Sequence, residues 1–218
     1  MTILALEFSS PQRSVAVLRT GNGQVAAEAV EAGGRNTMAF GMIEKVLAEA
    51  KIERGEIEVI AVGLGPGSYT GIRAAIALAQ GWQLARGVKL LGVSSVECLA
   101  AQAQAEKFFG RVNVVIDAQR NEFYLAAYEI SADGWREIEP LKILSLAEIE
   151  SRENATGILI GPDVTYWFPN GRSFFPRAMT LAKLAASRND FVAGEKLEPV
   201  YLRETNFVKA PPRNPIAP

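Results

Sequence analysis

The spacing of apolar residues changes several times along this 218-residue chain, and each change marks an element. Residues 3–8 and 13–18 are apolar runs parted by Ser9-Ser10-Pro11-Gln12, the pattern of a β-hairpin. Residues 25–31 extend it with a third strand after the turn Gly21-Asn22-Gly23. Over 36–51 the period becomes helical: Ala39, Met42, Ile43, Val46, Leu47 and Ala50 fall on one face, with Asn36 or Thr37 as the cap. Residues 59–64 read as a buried strand, 65–69 break it, and a helix spans about 70–86. A strand at 89–93 and a helix at 95–107 follow. Strand, helix and strand joined by short links make a parallel βαβ unit.

A second cycle begins at Arg111, with strands over 112–118 and 122–130. It repeats the first at a constant offset of 110: Leu4-Ala5-Leu6-Glu7 lies over Val114-Val115-Ile116-Asp117, and Val15-Ala16-Val17-Leu18 over Leu125-Ala126-Ala127-Tyr128. Gly65-Pro66 after one strand and Gly161-Pro162 after another (158–160) extend the parallel. The expectation is two topologically related α/β halves, 1–107 and 108–203, followed by a proline-rich tail, 204–218. The halves are unequal. An Ala-rich helix follows Gly65-Pro66, whereas an aromatic, proline-broken stretch follows Gly161-Pro162, with a helix only at 180–188. Ser145-Leu146-Ala147-Glu148 has the form of a capping box opening a short helix.

Composition narrows the chemistry. The net charge is −1, there is one cysteine, and there is no histidine. One Cys excludes intrachain disulfides and multi-cysteine metal sites. Zero His removes Ser-His and Cys-His couples, HExxH zinc sites and the commonest general base. No apolar run approaches the ~20 residues that span a bilayer, and the N-terminus lacks a basic signal-peptide region. A cytoplasmic location is the expectation. The basic residues are scattered and form no aromatic-interleaved patch, so nucleic-acid binding by this chain alone is not expected.

Two features could carry chemistry. The stretch Gly63-Leu64-Gly65-Pro66-Gly67-Ser68-Tyr69-Thr70-Gly71 joins a strand to a helix, so its amides could hold an anion. It could equally be a tight turn with close helix–sheet packing. Glu7 and Asp117 each end the first strand of a half and could hold a metal–phosphate across a cleft, or simply satisfy turn amides. The helix over 70–86 is apolar on well over half its girth, more than one buried face requires. Gly81 costs ~1 kcal/mol against Ala in a helix interior, which points to a packing need. With the helix over 36–51 it could form an apolar interface. Cys98 reads as a small buried residue.

The blocks Ile3-Leu4-Ala5-Leu6-Glu7-Phe8-Ser9-Ser10, Val62-Gly63-Leu64-Gly65-Pro66-Gly67-Ser68-Tyr69-Thr70-Gly71-Ile72-Arg73, Gly92-Val93-Ser94-Ser95, 115–124 and Pro199-Val200-Tyr201-Leu202-Arg203 together resemble the TsaB (YeaZ) family. The resemblance implies an actin-like, sugar-kinase-like fold of two ribonuclease-H-like lobes, the second reduced. It implies a non-catalytic subunit in the synthesis of threonylcarbamoyladenosine beside the tRNA anticodon. The implied partners are the catalytic TsaD, in a heterodimer, and the ATPase TsaE, with tRNA met only within the complex. ATP and metal are expected in the partner subunits, and no cofactor is expected here. A homodimer through the same helices is the expectation when the chain is alone. The partner interface is placed on Ala39, Met42, Ile43, Val46, Arg73, Ala75, Ile76, Ala79 and Gln83, so that Ala79→Glu would put an unpaired charge into it. A vestigial nucleotide or anion site is placed on Glu7, Ser9, Ser10, Gly65, Gly67, Ser68 and Asp117. Departures from the resemblance lower the expectation of ATP turnover, among them a second lobe without the long helix that would complete an adenosine pocket. The His-x-x-x-His metal pair of the catalytic relatives cannot exist here, the usual first-strand Asp is Glu7, and Asn36-Thr37 stands where many relatives have His-Ser or His-Thr. The competing reading is a nucleotide-binding ATPase or phosphotransferase built on Glu7, Asp117 and the loop over 65–70.

Overall fold

The structure, a computed structural model, describes residues 1–21, 23–32, 38–153 and 157–202. The expected caps Asn36 and Thr37 and the tail 204–218 lie outside them. The first sheet contains β1 (Thr2–Glu7), β2 (Gln12–Arg19), β3 (Val25–Ala32), β4 (Val59–Gly63) and β5 (Lys89–Val93). Helix α1 (Ala39–Ala50) lies between β3 and β4, and α2 (Tyr69–Arg86) between β4 and β5. After α3 (Ser95–Ala105) comes the second set: β6 (Gly110–Asp117), β7 (Glu122–Ser131), β8 (Gly134–Ser145), α4 (Leu146–Glu153), β9 (Ile158–Gly161), the two-residue β10 (Arg172–Ser173) and α5 (Ala178–Ala186).

The sheets run β3-β2-β1-β4-β5 and β8-β7-β6-β9-β10, so both have the same strand order, 3-2-1-4-5. In each, the central strand pairs antiparallel with the second and parallel with the fourth. The duplicated hairpin read from the offset of 110 is therefore a duplicated sheet, and the chain has the actin-like α/β fold. The Gly-Pro correspondence does not hold. Leu6 pairs with Val62 across β1 and β4, whereas Val114 pairs with Ile160 across β6 and β9. Registered on the central strands, Gly161 thus sits four residues earlier than Gly65.

Period-two alternation gives the first sheet two covered faces. Leu4, Leu6, Val15, Val17, Ile60, Val62 and Leu90 pack under α1 and α2. Ile3, Ala5, Ala16, Leu18, Ala61 and Leu91 pack against α5. The second sheet is covered on one face by α3, through Val96, Leu99, Ala100 and Ala103. Its other face meets Ile149 of α4, Val164 and Phe168. The halves thus exchange their last helices: α3 follows the first sheet but covers the second, and α5 does the reverse. Arg177 and Glu28 fasten one end of this exchange. The guanidinium donates to both Glu28 oxygens (3.2 and 2.7 Å), and Met179 N–H donates to Oε1 (3.0 Å).

The second half is reduced where α2 would repeat. A single 3₁₀ turn, Val164–Tyr166, stands there. The structure adds β8, a long edge strand absent from the sequence reading. It also moves the last helix two residues earlier than expected and starts α1 at Ala39, without a side-chain cap on Met38. The capping box forms: Ser145 N–H donates to Glu148 Oε2 (2.7 Å), and Glu148 N–H to Ser145 Oγ (3.4 Å).

Candidate functional site: a sealed loop and an open helix face

The glycine-rich loop between β4 and α2 is folded onto the β1–β2 turn. Ser68 N–H donates to Ser9 O (2.6 Å) and Ser95 N–H to Gly65 O (2.8 Å). A Cβ on Gly67 would collide with the Ser9 carbonyl and one on Gly71 with the Phe8 carbonyl, so backbone meets backbone where a side chain would prevent it. Ser68 caps α2, its hydroxyl accepting from Gly71 N–H (3.4 Å). Of the two readings of this loop, the geometry is that of close packing.

Glu7 is wholly buried behind that loop. Its Oε1 accepts Ser9 N–H (2.7 Å), and its Oε2 lies 3.2 Å from Ser95 Oγ, which is also 2.9 Å from Ser9 Oγ. Gly63 is bare against the carboxylate, where any Cβ would clash. Burial raises the Glu7 pKa, and the hydrogen bonds from Ser9 and Ser95 oppose it. Ser10 is also buried, its hydroxyl donating to Gln12 O (2.6 Å). Asp117 is exposed. It accepts Gln119 N–H (2.6 Å) and Gln119 Nε2–H (3.0 Å). Each acid therefore satisfies the amide two residues ahead. Cys98 is buried, as its setting suggested, and burial and the nearby Glu7 charge push its thiol well up.

The expected interface set needs correction. Met42, Ile43, Val46, Ala75, Ile76 and Ala79 lie in this chain's own core under the first sheet. Gln83 is tied within the chain, accepting Gly194 N–H (2.9 Å) and donating to Val88 O (3.4 Å). Ala39 is half-buried, and only Arg73 is exposed. Helix α2 carries two apolar stripes, and the expected Ala75, Ile76 and Ala79 lie on the inward one.

The outward stripe is Ala74, Ala77, Gly81, Leu84 and Ala85, all exposed, with Leu84 at 89%. From 74 to 84 the steps are three, four and three residues, the seam spacing of helices packed on helices. Among the described residues, nothing apart from its chain neighbours and the helix's own backbone lies within 4 Å of a Cβ built on Gly81, so the packing need of that glycine is not met by them. Phe40 of α1, 68% exposed, flanks the stripe. This spacing was the signal that could have found these residues. Between α1 and the end of α2 lies a pocket of about 320 Å³.

Fold and surface together define an actin-like α/β protein with its central acid closed off and a helical face left open. Residues 36–198 match the family described as TsaD, tRNA N6-adenosine threonylcarbamoyltransferase. A tRNA threonylcarbamoyladenosine biosynthesis protein TsaB from Escherichia coli is 28% identical, over 93% of this chain and 95% of its own. Two solved structures from Pseudomonas aeruginosa superpose with TM-scores of 0.78. One is described as an uncharacterized protein similar to peptidase YeaZ (30% identical, covering 93% of this chain and 99% of that one). The other is YeaZ itself (28%, covering 92% and 99%). The chain belongs to this threonylcarbamoyltransferase family, as a member of its TsaB (YeaZ) line. Among the described residues no helix is long and apolar enough to cross a membrane.

Proposed function

We propose that this chain acts in tRNA threonylcarbamoyladenosine biosynthesis as a non-catalytic subunit. It pairs through α1 and α2 with a TsaD-like catalytic subunit, which a TsaE-like ATPase joins. It needs no cofactor of its own and meets tRNA only in the assembled complex. The observation that carries this reading is the outward seam of α2: residues at helix-packing spacing, with open space beside Gly81 among the described residues. The names of the relatives supply the pathway. A phosphotransferase using Glu7 and Asp117 is the weaker reading, because Glu7 is enclosed by Gly63, Ser9 and Ser95 while Asp117 faces solvent.

The test is co-expression with the host's TsaD-like subunit, followed by size exclusion. Ala77→Glu, on the exposed stripe, should abolish co-elution while the isolated variant keeps the wild-type urea midpoint. Ala79→Glu cannot serve, because it would bury a lone charge in the core, a change that costs roughly 3–5 kcal/mol. Normal co-elution of Ala77→Glu would remove the α2 interface. Millimolar ATP with Mg²⁺ should give no heat of binding to the isolated chain, and heat that is lost in Glu7→Ala would revive the enzyme reading.

A further inference from the structure

The pocket beside the α2 seam has apolar walls and a charged mouth. Phe40 and Ile43 of α1 and Trp82 and Ala85 of α2 form the walls. At the mouth stand Glu44, Arg54 and Arg86. Glu44 and Arg54 pair with each other, so their charges are spent. Arg86 is exposed and, among the described residues, has no acidic partner. Gly55 leaves the space its guanidinium occupies, since a Cβ there would lie 2.8 Å from Nη2.

We propose that this pocket receives one large apolar side chain of the pairing subunit, set beside a carboxylate that Arg86 binds. The inference rests on the pairing proposed above and names what the partner must present there. The volume sits at the low end of the ~300–1,000 Å³ range of small-ligand sites, a fit for a single bulky side chain and little more. Pockets of this kind hold the few anchors that dominate an interface, and an unspent arginine at the rim selects for an acid. A second copy of this chain fits less well. Helix α2 has two exposed arginines, Arg73 and Arg86, and no acid, so a symmetric pairing would bring like charges together. Phe40 and Glu44 of α1 are already wall and rim, which leaves Glu49 as the one exposed acid on that helix outside the pocket.

The experiment titrates the full-length chain with the host's TsaD-like subunit by calorimetry at several salt concentrations. Ala85→Trp fills the pocket from an exposed position and should weaken binding by about 30-fold or more. Arg86→Gln should weaken it by about 10-fold and flatten the salt dependence. Both isolated variants should keep the wild-type urea midpoint. If Ala85→Trp does not fold, the salt dependence of Arg86→Gln decides alone. Wild-type affinity and salt dependence in both variants, with Ala77→Glu still abolishing binding, overturns the pocket proposal and leaves the pairing intact. Wild-type affinity in all three removes the pairing face and the pocket with it. Loss confined to self-association, read by sedimentation, makes the occupant a second copy and also overturns the proposal.

Discussion

The turns after β1 and β6 are equivalent positions in a duplicated sheet, yet they have opposite surroundings. Glu7 and Asp117 each close a central strand, and each accepts the amide two residues on. Glu7 is nevertheless sealed, and Asp117 is open to solvent. The difference arises on the neighbouring strand. β4 runs into a glycine-rich loop that lies on Phe8 and Ser9 before α2 begins, whereas β9 runs into one 3₁₀ turn. An acid at the end of a strand thus takes its chemistry from the loop beside it.

The strongest way to break this contrast is to lift the loop. Gly67→Ala adds a Cβ into the Ser9 carbonyl at a φ of +145° and should cost about 3 kcal/mol in urea unfolding. A loss near zero would mean the loop does not rest on Ser9.

The acids themselves come next. Glu7→Ala leaves the buried Ser9 amide without its acceptor and should cost about 1–3 kcal/mol, while Asp117→Ala in its exposed turn should cost a fraction of that. Equal losses would erase the distinction. Acidity sharpens it. The Glu7 pKa in the folded chain is raised above its ordinary 4.5 by burial. The folded state therefore holds that proton more tightly than the unfolded state does. The resulting stability is fully present below the unfolded value and is lost as pH rises through the folded one. Glu7→Gln cannot titrate, so its stability relative to wild type should improve as pH is raised from about 4 to about 8. A difference that stays flat would mean that solvent reaches Glu7.

The smallest effect belongs to the open turn. Gln119, Arg120 and Asn121 all have left-handed backbone, with φ of 66°, 62° and 58°. Arg120→Gly should relieve part of this cost and raise the urea midpoint by the equivalent of about 0.5 kcal/mol. A fall in stability would show that the arginine side chain contributes more than its backbone strain costs.

Much of this fold could be read from residue order, because the buried strands carry clean apolar runs and α2 lies within one residue of its expected span. Strand β8 was hidden because its pairing with β7 slips twice, between Leu125 and Ala127 and between Ala127 and Tyr128. Each slip breaks the alternation that marks a half-buried strand. The loop chemistry was legible as two alternatives, and only tertiary contact decides between them, since Phe8 and Ser9 lie nearly sixty positions from Gly67. That six of the expected interface residues lie in this chain's own core was hidden for a different reason. A helix with apolar residues on two faces does not declare which one turns inward, and Ala75 and Ala79 are chemically the same as Ala74 and Ala77.

The exchange of α3 and α5 has a consequence for how the chain is made. As it leaves the ribosome, the first sheet is complete by residue 93, but the side of it carrying Ile3, Ala5, Ala16 and Leu18 stays uncovered until Leu181, Ala182 and Ala185 of α5 have been synthesised. Burial of that face of the earliest strands therefore waits on α5. A nascent chain halted at mid-length carries an uncovered apolar face, and cutting the gene between α3 and β6 would yield two fragments that each lack a lid owned by the other.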